Sequence, residues 1–179
     1  LGGIGPYLTQ SMAQDDLNKL WDSGWFTLEN LPGIADELDA ALRDKLVAHG
    51  SGGYTGVMAL QGAMGSGKTT LMKALCAHWN VLDDAASPTF GLVHEYRVQD
   101  WRIFHHDLYR LKNEEEAWDM GLSEYFSSLA FHVVEWPERA PGLMPSDALL
   151  LDLEVESMAE DAARRAILWE VVNLEPRMY

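Results

Sequence analysis

The run Gly62-Ala63-Met64-Gly65-Ser66-Gly67-Lys68-Thr69 fits the pattern G-x-x-x-x-G-K-[ST], a loop that grips nucleotide phosphates. Glycines at 62, 65 and 67 let the backbone turn tightly and aim its N–H groups inward, forming an anion-binding nest at the positive end of a helix. Lys68 adds a mobile positive charge for the β- and γ-phosphates. Thr69 offers a hydroxyl oxygen to Mg²⁺, a hard cation that bridges to the same phosphates. The expected chemistry is binding of ATP with Mg²⁺, followed by hydrolysis.

Such a loop needs an acid at the end of a neighbouring strand to complete the metal shell, and Glu135 closes the apolar run Phe131-His132-Val133-Val134. Asp107 also follows an apolar run, and its i, i+2 spacing puts it on one strand face with His105. Two roles stay open for Asp107 on spacing alone: orienting the attacking water or a metal-bound water, or fixing the turn before Leu108-Tyr109-Arg110. His105 and His106 point to opposite faces, which favours core or hydrogen-bonding roles over joint chelation. In Ser87-Pro88-Thr89-Phe90, a loop segment, Thr89 is a candidate contact for the γ-phosphate. Trp136 is a flat cover suited either to adenine or to the hydrophobic interior.

These residues need elements to hold them. Val57 to Leu60 is a continuous apolar run of the kind found in strands buried on both faces, and it leads directly into the glycine loop. A helix over Gly67 to Trp79 follows, with Leu71, Leu75, His78 and Trp79 on one side. Before it, Trp25 to Leu28 predicts a short strand. Asn30-Leu31-Pro32 then opens a helix whose stripe Ile34, Leu38, Leu42 and Leu46 runs until His49-Gly50, ahead of a turn at Ser51-Gly52-Gly53.

After a polar loop from Asp83 to Pro88 come strands over Gly91 to Val98 and Trp101 to His106, joined tightly at Gln99-Asp100. Asn113 caps a helix opening with Glu114, Glu115 and Glu116, expected as solvated residues favourable to the helix dipole. Strands over Phe131 to Val134, Ala148 to Val155 and Ala166 to Val172 complete the pattern. The predicted fold is a single α/β domain of P-loop type, with about seven strands in a mixed sheet flanked by three or four helices. Residues 1–23 are expected to form an N-terminal extension and 24–179 the domain.

Composition bounds the partners. The 179 residues carry 28 acidic and 13 basic side chains, a formal charge of -15, which opposes direct contact with a phosphate backbone. Direct DNA binding is therefore not expected, and any nucleic acid is expected to be held by a partner protein. No apolar run reaches the ~18 residues of a membrane-spanning helix. The single Cys76 has no internal partner for a disulfide, so the cytoplasm is the expected compartment and an inert thiol the expected state.

Taken together, Leu60-Gln61-Gly62 through Thr70, Ser87-Pro88-Thr89-Phe90, His105-His106-Asp107-Leu108-Tyr109-Arg110 and Glu135-Trp136-Pro137-Glu138 resemble the bacterial TsaE (YjeE) family in order and spacing, over about Gly24 to Glu156. The resemblance implies a P-loop ATPase needed for threonylcarbamoylation of adenosine 37 in tRNA. It would act on the TsaD and TsaB proteins, and on tRNA only through them, without transferring the group itself. It implies nucleotide contacts at Gly62, Met64, Gly65, Ser66, Gly67, Lys68, Thr69, Thr70, Thr89, Trp136 and Glu138, with Trp136 against adenine. It also implies Mg²⁺ on Thr69 and Glu135, and catalytic roles for Lys68, Asp107 and Glu135. Ala63 stands where the family usually has an acid, and His106 where it usually has an apolar or aromatic residue.

Three alternatives remain on sequence. A small-molecule or nucleotide kinase usually clamps its second substrate with several arginines, and only eight arginines exist here, with no Arg-rich stretch after the P-loop helix. A GTPase lacks support because no D-x-x-G occurs. A non-catalytic adaptor that binds ATP to fix its shape stays open.

Overall fold

The computed structural model describes residues 17–50, 52–81, 91–157, 159 and 162–172. Among these residues eight strands and four α-helices follow in chain order: β1 (Leu17–Phe26), α1 (Leu31–Arg43), β2 (Val47–His49), β3 (Gly53–Gln61), α2 (Lys68–His78), β4 (Val93–Val98), β5 (Trp101–Asp107), α3 (Glu114–Asp119), α4 (Leu122–Tyr125), β6 (Phe131–Glu135), β7 (Leu149–Val155) and β8 (Arg164–Val171). The sheet order is β1-β8-β7-β3-β6-β5-β4, with β2 paired to the start of β3.

β3 lies between β7 and β6 and runs parallel to both. β5 extends this parallel centre beside β6, while β4 and β8 join antiparallel on either flank and β1 pairs antiparallel with β8. A parallel strand needs cover on both faces. One face receives α1 and α2: Leu38, Leu42, Leu71 and Leu75 pack with Met58 and Leu60 of β3 and Phe131 and Val133 of β6. The other face receives α3, α4 and the chain from Ala140 to Ala148, where Leu108, Ala117, Leu122 and Leu143 pack on Val57 and Val134. The alternation of Val57 and Met58, and of Val133 and Val134, between these clusters follows from the strand period of two.

Most elements stand where the sequence places them, and four details differ. The helix expected to run to His49 ends at Arg43, where Lys45 and Leu46 N–H groups both bond the Leu42 carbonyl; Val47–His49 then pairs with Gly53–Thr55 as an eighth strand. The strand expected at Trp25 to Leu28 begins at Leu17 and stops at Phe26, so the expected boundary at residue 24 falls inside β1. Leu28–Asn30 is instead a single 3-10 turn. Glu114 and Glu116 are not merely solvated, since Glu114 Oε1 accepts from Gly142 N (2.6 Å) and Glu116 Oε2 from Lys112 N (2.8 Å). Asn113 caps α3 as expected, accepting from Glu116 N at 3.0 Å.

Candidate functional site

The sheet brings three strand ends together at one edge. β3 delivers Gln61 into the glycine loop, and β6 and β5 end beside it in register, with Leu60 opposite Glu135 and Glu135 opposite Asp107. Crevices outside the carboxyl ends of parallel strands are where α/β sheets bind ligands.

The loop has the backbone its glycines predict. Gly62, Gly65 and Gly67 take φ values of 147°, 79° and 102°, a region open to glycine and costly to other residues. A Cβ at Gly62 would stand 2.6 Å from the Leu153 carbonyl oxygen, so close packing there is as restrictive as the dihedral. Gly67 caps α2 and lies against Arg164, whose Nε would be 3.3 Å from a Cβ at that position. Buried Arg164 also donates from Nη1 to the Ala162 carbonyl at 2.6 Å.

Lys68, 5 % exposed, donates to the carbonyls of Gly62 (2.7 Å) and Ala63 (3.0 Å). Its Nζ lies 4.1 Å from the centroid of the Trp136 ring, within cation–π range. Burial lowers the pKa of this ammonium, while the charges of Glu135, Glu138 and Asp107 pull it back up. All three acids therefore act electrostatically on one lysine.

Glu135, 3 % exposed, holds the centre. Its Oε1 accepts from Thr69 Oγ1 at 3.3 Å and lies 2.9 Å from His105 Nε2. Two hard oxygens, a hydroxyl and a carboxylate, thus sit together at the start of the phosphate loop, the donor set Mg²⁺ takes alongside phosphates and water. Buried Ser66 Oγ and Glu138 Oε2 have no hydrogen-bond partner among the described residues, and buried polar groups of this kind ordinarily have one. The residues present fit a phosphate chain with its magnesium ion.

Asp107 does the turn-fixing that spacing left open, since its Oδ1 accepts from Tyr109 N at 3.2 Å and caps a 3-10 turn over Leu108–Arg110. Its charge nevertheless reaches Lys68. Trp136 takes a left-handed backbone (φ 58°) and its ring meets Tyr109 at 5.0 Å as well as the lysine. The ring thus stands beside the P-loop lysine. Met64, Thr69 and Thr70 are exposed at the loop and helix start, and Thr89 lies outside the described residues. Arg164 carries no signal in the sequence, and Tyr109 stands there only within the motif after Asp107. Arg164 stands almost a hundred residues beyond the loop without a motif, and the pairing of β8 with β7 and β1 carries it there.

A buried strand, a glycine nest, a helix opening on Lys68-Thr69 and an acid on the adjacent strand define a P-loop protein. The TsaE family model, described as "Threonylcarbamoyl adenosine biosynthesis protein TsaE", matches residues 27–167. The chain belongs to the TsaE family.

It is 36% identical over 95 residues to the tRNA threonylcarbamoyladenosine biosynthesis protein TsaE of Haemophilus influenzae, covering 53% of this chain and 60% of that protein. It is 34% identical over 93 residues to the protein of the same name from Bacillus subtilis, covering 52% of this chain and 58% of that one. The matched segments thus span somewhat under two thirds of these relatives' lengths. The crystal structure of Bacillus subtilus YdiB superposes with a TM-score of 0.60 at 22% identity, covering 87% of this chain and 86% of that chain, a likeness of fold. Among the described residues no helix is long and apolar enough to cross a membrane.

Proposed function

We propose that this chain binds ATP with Mg²⁺ in the P-loop and hydrolyses it in support of threonylcarbamoylation of tRNA adenosine 37. On this reading it acts in the cytoplasm on a complex of TsaD and TsaB, resetting that complex rather than transferring the group. The observation that carries the reading is the convergence at Glu135: a buried carboxylate 3.3 Å from the Thr69 hydroxyl, acting electrostatically on the P-loop lysine. Family membership supports the pathway, and the names of the relatives supply the modified nucleoside.

Within this reading Lys68 neutralises the β- and γ-phosphates. Thr69 and Glu135 would hold the metal, which when bound would supply Lewis-acid stabilisation of the phosphoryl oxygens. Asp107, one strand further out, orients water or a metal-bound water. The glycine loop and the start of α2 direct backbone N–H groups at the phosphate chain, and Trp136 offers a flat ring to the adenine. The formal charge of -15 favours contact with tRNA through the partners rather than directly.

The test is release of phosphate from Mg·ATP by the purified chain, alone and with TsaD and TsaB. Turnover that rises with the partners, and disappears in Lys68→Ala, is the expected result. ATP left intact in both settings would replace the enzyme by an adaptor.

A further inference from the structure

His105 is the closest polar neighbour of the Glu135 carboxylate in this site, and the reading above gives it no task. It lies on β5, two residues before Asp107 and opposite Val133, with 5 % of its surface exposed. Its Nε2 approaches Glu135 Oε1 at 2.9 Å. Its other nitrogen, Nδ1, is buried and has no hydrogen-bond partner among the described residues. A neutral imidazole carries one proton, on one nitrogen. Placing it on Nδ1 would bury an unsatisfied donor and set the Nε2 lone pair against a carboxylate oxygen, so the favoured tautomer donates from Nε2 to Glu135.

The ring has little freedom to do otherwise. It packs against both His94 and Tyr96 of β4, with ring centroids at 6.0 and 6.3 Å, and the antiparallel β4–β5 ladder puts His94 directly opposite it. Both hydrogen bonds to Glu135, from Thr69 and from His105, fall on Oε1. Oε2 takes none from a described residue, which leaves it as the oxygen available to a metal. Outer-shell donors of this kind orient a ligating carboxylate and set its affinity for the ion.

We propose that His105 is a positioning residue for the metal. Its Nε2–H fixes the rotamer of Glu135 so that one carboxylate oxygen is anchored and the other is presented to Mg²⁺. This rests on the reading of Glu135 as a metal ligand. Two residues that share a strand face thus have separate tasks: Asp107 serves the water, His105 serves the carboxylate.

The experiment measures Mn²⁺ affinity by electron paramagnetic resonance in the presence of a saturating non-hydrolysable ATP analogue. It is paired with affinity for the same analogue in excess chelator. The variants are His105→Leu, which removes the donor; His105→Asn, whose amide is too short to reach the Nε2 position; and His105→Gln, whose amide N–H can reach it. The expected result is a loss of about 10- to 100-fold in Mn²⁺ affinity for His105→Leu and His105→Asn. Metal-free analogue binding should stay within about twofold, and His105→Gln should recover most of the loss.

Mn²⁺ affinity in His105→Asn equal to that of the unaltered chain would overturn the proposal. So would equal loss in all three variants accompanied by loss of metal-free binding, which marks general damage to β5. Failure of the proposed function looks different: the unaltered chain would then show no metal-dependent gain in analogue binding at all.

Discussion

One lysine ammonium has two claims on it. Lys68 bonds the carbonyls of Gly62 and Ala63 and sits under Trp136, yet its placement in the loop suits it to phosphate oxygens, which carry full charge and form stronger hydrogen bonds than carbonyls. Lys68→Ala should therefore abolish tight ATP binding in a calorimetric titration. Asp107→Ala should retain binding and Glu135→Ala should retain metal-free binding, while both lower single-turnover hydrolysis about 100-fold or more, the scale set by losing a preorganised electrostatic group. Full turnover in both acid variants would contradict the assignment. Gly62→Ala tests the loop itself. Its Cβ meets a backbone oxygen at 2.6 Å with φ at 147°, so a cost of about 1 to 3 kcal/mol in urea unfolding, with weakened nucleotide binding, is expected.

At this scale much was legible. The glycines, Lys68 and Thr69 form a contiguous pattern whose geometry is local, and Glu135 follows from a strand end. The partner of Glu135 was not, because the His105 contact depends on which neighbour β5 and β6 choose and in what register.

Among the elements, the joint between α1, α2 and β3 is held by a single buried carboxylate. Asp39 Oδ1 accepts from Tyr54 Oη (2.9 Å) and Trp79 Nε1 (2.6 Å), while Oδ2 accepts from Arg43 Nε (2.7 Å). His78 Nε2 adds a fourth partner at 3.2 Å. Burial works against the charge, but these donors outweigh it and hold the Asp39 pKa below its ordinary value. Asp39→Ala strands several donors in the interior, so a loss of about 3 to 5 kcal/mol is expected from denaturant unfolding. Because α2 carries Lys68 and Thr69, nucleotide affinity should fall with it.

The stripe of α1 was plain in sequence, since Ile34, Leu38 and Leu42 all reach the core. The end of that helix was not, because Leu46 and Val47 continue the spacing while the short β2 pairing takes the chain elsewhere. β1 was obscured for a different reason. Register shifts between Lys19 and Trp21 and between Asp22 and Trp25 destroy the alternation that marks a strand.

The whole molecule carries a buried weakness towards acid. On the face away from α1 and α2, His106 Nε2 and His132 Nδ1 meet at 3.2 Å, stacked with Phe126 and near Phe104. Burial pushes the His132 pKa from 6.5 to about 4. It holds His106 well below its ordinary range, with the neighbouring histidines adding to the effect. The unfolded chain therefore binds more protons between pH 6.5 and about 4, and stability present above that window is lost as pH falls through it.

His132 alone accounts for about 3 kcal/mol at most, read from urea midpoints across the window. Replacing both rings (His106→Phe with His132→Leu) should flatten this limb. An unchanged slope would place the acid sensitivity elsewhere. Cys76 sits outside such titrations, because burial raises its thiol to about 11, in keeping with an inert side chain.

That the domain is a mixed α/β sheet was readable from its order of strands, loop and helices, because each apolar run is bounded by turn residues. The two-sided core was not, since which face each alternate residue takes depends on the helices that cover it. Every proposed role at this site depends on the glycine loop holding a triphosphate together with magnesium. The most direct test of this is a calorimetric titration with a non-hydrolysable ATP analogue, run in Mg²⁺ and again in chelator. Saturable binding at one site, tighter with the metal and lost in Lys68→Ala, is the expected result. Absence of binding by the unaltered chain, or equal binding by that variant, would contradict it.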